Sequence, residues 1–327
     1  MFDRVRFEFR PYARRFKRPL QTHHGEWAVR QGVILRLEGA DRVSWGEIVP
    51  IEWFGSESYL DALRFCQALP GEITHAQIQQ IPASLPACQF GFESAWEKLV
   101  LPPPHSPHSV PQLPSSILLP TGAEALHAPQ LFTASPGSTF KWKIGVAAIQ
   151  DELELFEELI SLLPNQAHLR LDANGGLTWQ QACQWLQLCD GYGIELIEQP
   201  LPPTQLDQML KLSQRYSTPL ALDESVTTLE QLQTCYHQGW RGLFVIKAPL
   251  AGSPVQLRHF CQTHQLDIVW SSVFETAIAR RYIENYLVAA LPSSNRATGF
   301  GVEHWFDDGW EQRSPEQIWQ RLEPSNS

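Results

Sequence analysis

Residues 168–174 read His168-Leu169-Arg170-Leu171-Asp172-Ala173-Asn174. Side chains alternate across an extended chain, so Leu169 and Leu171 share one face while Arg170, Asp172 and Asn174 share the other. This predicts a short strand, apolar on one side and charged towards its carboxyl end. The same grammar recurs outward in both directions. Upstream, residues 140–144 place Lys141 and Lys143 on one face around Trp142. Downstream, apolar runs over 195–198, 220–223 and 243–247 end on Glu198, Asp223 and Lys247. Further strands are predicted over 117–120 and 268–271, with a short last one near 298–301. Amphipathic helical stretches separate them. Strand and helix alternating at roughly 20–30 residues predict a β/α barrel, although an open doubly wound sheet produces much of the same pattern.

Before residue 100 the grammar changes. Strands are predicted around 4–10, 33–37 and 43–49, with Gly39-Ala40-Asp41-Arg42 as the turn before the last. Helices follow near 58–69 and 88–99, the second with Phe92, Ala95, Trp96 and Leu99 on one face. That is an α+β unit. Residues 101–116 are rich in Pro, Ser and His, which resists helix and suits a connection between domains.

Composition narrows the function. The chain has 327 residues, 43% hydrophobic and 18% charged, ordinary values for a soluble globular protein. A formal net charge of -10 disfavours nucleic acid and anionic membranes and favours metal cations. The opening Met1-Phe2-Asp3-Arg4-Val5-Arg6 resembles a strand more than a signal peptide, and no long apolar run predicts a membrane span. Cys66, Cys88, Cys183, Cys189, Cys235 and Cys261 form no Cys-x-x-Cys pair, as in reduced thiols of the cytoplasm.

Each charged strand end, taken singly, is ordinarily a solvated residue. Together they are not. Asp172, Glu198 and Asp223 on three consecutive strands bring three negative charges into one cavity, which is unfavourable without a cation. The absence of His and Cys at these ends favours magnesium over zinc. Lys141 and Lys143 stand close enough to disfavour double protonation, which is expected to lower one pKa towards that of a general base. Lys247 faces them. A metal and cations around a carboxylate lower the cost of removing the proton beside it, so the arrangement points to carbanion chemistry.

Lys141-Trp142-Lys143, Asp172-Ala173-Asn174, Ile197-Glu198-Gln199-Pro200, Leu222-Asp223-Glu224-Ser225 and Ile246-Lys247 resemble the muconate-lactonizing subgroup of the enolase superfamily. Leu20-Gln21-Thr22-His23-His24-Gly25, Ser44-Trp45-Gly46-Glu47, residues 271–276 and Gly299-Phe300-Gly301 bring the resemblance nearest to the o-succinylbenzoate synthase family. A lysine base working with magnesium is a recorded pattern of enolase-superfamily sites; only its placement on these residues comes from the sequence. The resemblance implies an α+β capping domain (1–105), a modified (β/α)7β-like TIM barrel (106–300) and a tail returning towards the cap (301–327). It implies Mg2+, with Mn2+ as a substitute, held by Asp172, Glu198 and Asp223.

The implied reaction is syn-dehydration of 2-succinyl-6-hydroxy-2,4-cyclohexadiene-1-carboxylate to o-succinylbenzoate, a step of menaquinone or phylloquinone biosynthesis, through a metal-stabilised enediolate. Lys143 would remove the proton and then protonate the departing hydroxyl on the same face. Lys247 would stabilise the charge that develops, and Lys141 would tune Lys143. Lesser substrate-binding candidates are Arg170, Asn174, Ser271, Ser272, Gly301 and Thr22. For these, an interior ion pair (Arg170), an ordinary turn (Ser271, Ser272, Thr22) or close backbone approach (Gly301) is the plainer reading. The Thr22–Gly25 loop is expected to close over the substrate. His23 and His24 are not expected to bind metal, because neighbours in an extended chain point apart.

N-acylamino acid racemization, dipeptide epimerization and muconate cycloisomerization would reuse the same residues, and a catalytically silent barrel serving as a binding or scaffold protein is the alternative of a different class. The partner is a small dicarboxylate. The sequence leaves the oligomeric state open, and a monomer is compatible with it.

Overall fold

The computed structural model describes residues 3–22, 25–101, 114–291 and 296–323. Two sheets organise it. The first is antiparallel, from β1 (Val5–Thr22), β2 (Gly25–Glu38), β3 (Val43–Ile48) and β4 (Glu72–Ile73), in the order β3-β2-β1-β4. Helices α1 (Tyr59–Ala68), α2 (His75–Gln79) and α3 (Pro86–Val100) complete this unit. Val5, Phe7, Val33, Leu35 and Leu37 of the sheet pack with Ala62 and Cys66 of α1 and Phe92, Ala95 and Leu99 of α3.

The second sheet is parallel and runs in chain order through β5 (Ile117–Leu118), β6 (Thr139–Lys143), β7 (His168–Asp172), β8 (Leu196–Glu198), β9 (Leu220–Leu222), β10 (Leu243–Ile246) and β11 (Ile268–Trp270). Short helix α4 (Gln130–Thr133) precedes β6, and α5 (Ile149–Leu162), α6 (Trp179–Cys189), α7 (Leu206–Arg215), α8 (Leu229–His237) and α9 (Pro254–His264) follow β6 to β10 in turn. After β11 come α10 (Ala277–Tyr282) and, near the end of the chain, α11 (Pro315–Trp319).

Periodicity left the barrel open; two bridges close it. Ser271 beyond β11 pairs with Gly299, and Thr298 pairs with Ser115 ahead of β5, both in parallel. Gly299 N donates to the Trp270 carbonyl at 2.7 Å, and Ser116 N donates to the Thr298 carbonyl at 2.7 Å. Approach is tight here: a Cβ on Gly299 would lie 3.0 Å from Ser271 Oγ. On Gly301 the nearest atom would be Ser115 Cβ at an ordinary 3.4 Å. The tighter of the two positions is therefore Gly299, against the Ser271 side chain, while Gly301 has ordinary room.

The barrel interior is plugged by Leu196, Ala221, Leu243, Val245 and Val269. Their neighbours Ile197, Leu220, Leu222, Phe244 and Ile246 point outward to the helices. Two residues beyond the plug, on the same inward faces, stand Glu198, Asp223, Lys247 and Ser271. Alternation thus places apolar residues below and charges at the carboxyl-end mouth.

β1 extends well past the predicted 4–10. Val5 and Phe7 are buried on one face, but Tyr12, Arg14 and Phe16 are buried on the opposite one. The alternation changes phase near Pro11, so the second half does not look like a continuation of the first. Its buried Arg14 donates to Asp308 at 2.7 and 2.9 Å and to Glu311 at 3.0 Å, and its guanidinium carbon lies 3.8 Å from the Phe306 ring centre. The expected loop at Thr22–Gly25 is accordingly a hairpin tip, with Thr22 paired to Gly25. His23 and His24 lie outside the described residues, as does most of the Pro-rich connection, 102–113.

Candidate active site

Strand register brings the predicted residues together. Lys143 of β6 is level with Asp172 of β7, which is level with Glu198 of β8. Asp223 and Lys247 follow β9 and β10 directly. Asp172 (2% exposed), Glu198 (2%), Asp223 (5%) and Lys247 (8%) are all buried, so their charges must be balanced locally. Lys141 starts one layer lower, level with Arg170, and its side chain reaches up to Asp172 Oδ2 at 2.9 Å and Glu198 Oε1 at 2.8 Å. Lys247 Nζ donates to Asp223 Oδ1.

These contacts set the electrostatics of the mouth. Burial by itself would lower the Lys141 pKa, but the Asp172 and Glu198 carboxylates outweigh it and hold it above the usual lysine range. Its ammonium is paired with both acids. Burial likewise pushes on the Asp172 carboxyl, yet Lys141, Lys143 and the Asn174 N–H hold it below the usual carboxylate range. Glu198 is pushed up to about 8 by burial, with Asp172 and Asp223 adding to the effect against Lys141. Burial, with Glu224 beside it, raises Asp223 against Lys247.

The donor set fits a hard divalent cation: three buried carboxylates on adjacent strand ends, and Glu224 Oε2 close by, a buried atom with no hydrogen-bond partner among the described residues. As the side chains stand, with the lysines drawn onto them, no group of three or more His, Cys, Asp or Glu among the described residues is gathered tightly enough to hold an ion. Two ammonium groups meet the charge that a cation would otherwise meet.

Several residues were not singled out from the sequence. Gln199 is fully buried with φ at 39°, and its side-chain oxygen accepts from Asp223 N at 2.9 Å and Ser225 N at 3.2 Å. Its amide nitrogen donates to the Leu201 carbonyl at 2.9 Å and Ser225 Oγ at 2.8 Å. It thereby ties the Glu198 strand end to the turn carrying Asp223. Glu152 accepts from the backbone N–H groups of Gly145, Val146 and Ala147 at 2.8, 2.8 and 3.0 Å, fixing the loop that leaves Lys143. Phe54, from a short helical turn of the cap at Glu52–Phe54, lies under Lys247 with 4.5 Å from Nζ to the ring centre. Gln199 sat in a quoted motif; nothing marked Phe54 or Glu152.

The lesser candidates divide. Asn174 accepts from Lys143 Nζ at 2.9 Å and belongs to the charged mouth. Arg170 donates twice to Glu195, at 2.8 and 2.9 Å, and to the Ala297 carbonyl at 2.7 Å, a structural ion pair one layer below. Ser272 Oγ is engaged with Glu275 (2.8 Å), Phe274 N (2.9 Å) and Arg280 (3.1 Å). Ser271 takes part in barrel closure, and Thr22 Oγ1 donates to the Gly25 carbonyl at 2.8 Å at the hairpin tip.

Known proteins share this architecture. Residues 127–317 match the family model "Enolase C-terminal domain-like", and residues 15–99 match "MenC, N-terminal domain". The o-succinylbenzoate synthase of Thermosynechococcus vestitus is 38% identical over 98% of this chain and 100% of its own length. The crystal structure of o-succinylbenzoate synthase from Thermosynechococcus elongatus BP-1, complexed with Mg in the active site, superposes with a TM-score of 0.86 at 38% identity, covering 97% of this chain and 100% of that one. A dipeptide epimerase from Enterococcus faecalis shares the fold, with a TM-score of 0.75 at 20% identity over 91% of this chain and 90% of its own. Full-length identity and the two matched models together make this chain a member of the o-succinylbenzoate synthase family within the enolase superfamily.

Proposed function

We propose that the strand-end site carries out the family's reaction, dehydrating the succinyl-hydroxycyclohexadiene carboxylate to o-succinylbenzoate, with menaquinone synthesis as its setting and phylloquinone synthesis as the variant. The observation that supports it best is the convergence of three lysines and three carboxylates at one mouth, in a chain 38% identical along its length to an o-succinylbenzoate synthase. Asp172, Glu198 and Asp223 are the residues that would hold Mg2+, or Mn2+ in its place. When bound, the ion supplies positive charge against the substrate carboxylate as the adjacent proton leaves.

The chain's own residues do the rest. Lys143 takes the proton and returns one to the departing hydroxyl. Lys141, fixed on Asp172 and Glu198, contributes unchanging positive charge beside it. Lys247, over Phe54, adds charge from the far side. Thr22, Ser271, Ser272, Asn174, Arg170 and Gly301 remain candidates for contact with substrate, with Asn174 the one among them joined to Lys143. The proposed division is a cap over 1–105, a barrel over 106–300 and a tail over 301–327. No described helix is long and apolar enough to cross a membrane, in keeping with a cytoplasmic enzyme acting on a small molecule.

Lys143→Ala is expected to reduce dehydration by about 10²–10⁴-fold, the usual worth of a positioned acid–base group, while calorimetry shows Mg2+ binding little changed. Near-normal turnover in that variant would remove Lys143 from the role.

A further inference from the structure

A neutral lysine works as a base only through its free lone pair, and that lone pair is lost if any neighbour donates a hydrogen bond to it. Lys143 Nζ has Asn174 as its hydrogen-bond partner, at 2.9 Å from Oδ1. An asparagine side chain presents an acceptor on one side and a donor on the other. Turned the other way, Asn174 would donate to the amine and occupy the lone pair. Its far side decides the matter: Asn174 Nδ2 donates to Glu224 Oε1 at 3.1 Å. The backbone fixes the residue too, since Asn174 holds φ at 44°, a left-handed conformation that asparagine tolerates better than most, with its N–H donating to Asp172 Oδ1 at 3.1 Å. Glu224 Oε2 is a buried atom with no hydrogen-bond partner among the described residues, so Asn174 is the donor this carboxylate has there.

We propose that Asn174 and Glu224 form a two-residue positioning device for Lys143: Glu224 fixes the amide so that only its oxygen faces the lysine, leaving the lone pair directed to substrate. The inference rests on Lys143 being the proton-transfer group. Asn174 Oδ1 accepts a hydrogen bond from the amine before proton transfer and from the ammonium after it, so the pair need not rearrange during turnover. It also restrains a long, rotamer-rich side chain, where a displacement of about 1 Å can cost on the order of a hundredfold in rate.

The test is an exchange of chemistry between the two positions. Asn174→Asp keeps an acceptor towards Lys143 but sets two carboxylates against each other. Glu224→Gln gives Asn174 a neighbour that can donate as well as accept, so the amide is no longer fixed. In the double variant the new glutamine donates to the new aspartate, and the arrangement is restored with donor and acceptor exchanged. Each single variant is expected to lose kcat by about ten- to a hundredfold, with KM little changed. The primary isotope effect with substrate deuterated at the carbon beside the carboxylate should rise, because proton removal becomes limiting. The double variant is expected to recover most of the kcat loss, and calorimetry of Mg2+ binding in each variant reports intact folding. Unchanged kcat and isotope effect in both single variants would overturn the proposal, as would activity falling in step with Mg2+ affinity, or no recovery in the double variant. Lys143→Ala separates the two levels: if it is inactive while the Asn174 and Glu224 variants turn over normally, only the positioning device fails; if it is active, the role of Lys143 itself fails.

Discussion

Lys141 and Lys143 stand two residues apart on the same face of one strand, yet they have different partners: two carboxylates for the first, an amide for the second. That difference accords with the proposed roles, charge from the first and proton transfer by the second, and Lys-Trp-Lys alone, where the two are equivalent, does not show it. The acids depend on their supports in the same way. Gln199 fills its amide oxygen with the N–H groups of Asp223 and Ser225, so the position of Asp223 relies on a neutral residue from the neighbouring strand end. Gln199→Leu removes that acceptor from a buried site and should weaken Mg2+ binding by about 10–100-fold, the usual effect of losing a residue that orients a ligand. Calorimetry checks it, and unchanged affinity would mean that the turn after β9 holds Asp223 unaided.

Strands β6 to β10 are readable because two signals agree on them: an apolar strand pattern and a charge at or just beyond the carboxyl end. His168–Asp172 was predicted with the ends it has. β1 was cut short because its buried face switches near Pro11 and the second buried run contains an arginine, which pattern reading counts as exposed. Loops are harder still, since their order depends on partners far along the chain or with no periodic signature. The loop after β6 is an example. Three successive N–H groups converge on Glu152, a residue that looks like any exposed acid at the start of α5 and is in fact buried. Glu152→Ala should lower stability by about 2–3 kcal/mol in urea unfolding, because burying unpaired N–H groups costs of that order. A loss under about 0.5 kcal/mol would show that water replaces the carboxylate without penalty.

Cap and barrel meet through polar groups that no local pattern announces. Arg30 of β2 is fully enclosed and donates to the carbonyls of Val273 (2.8 Å), Pro50 (2.8 Å) and Val49 (2.5 Å), while Glu47 of β3 accepts from Thr276 and Ala279 at the start of α10. Ser44-Trp45-Gly46-Glu47 was legible as a motif, but its partner lies 229 positions away. The neighbouring Glu275–Arg280 pair gives a pH dependence. Burial alone would raise Glu275, but Arg280, the Val273 N–H and Ser272 outweigh it and hold its carboxyl below the ordinary range. A carboxyl whose folded pKa is depressed adds stability that is present above its unfolded value, about 4.3, and lost as pH falls through the folded value. Arg280→Met should therefore destabilise the protein at pH 7 and make the acid loss of stability shallower; an acid limb identical to the parent's would show that this pair is not coupled to protons. The most direct measurement of all is to follow diene loss and o-succinylbenzoate formation by ultraviolet absorbance when purified protein meets the succinyl-hydroxycyclohexadiene carboxylate, once with Mg2+ and once with chelator. Rapid conversion that chelator abolishes and Mg2+ restores is the expected result. No conversion by protein that binds Mg2+ normally would contradict the assignment and direct attention to racemase, epimerase and cycloisomerase substrates at the same site.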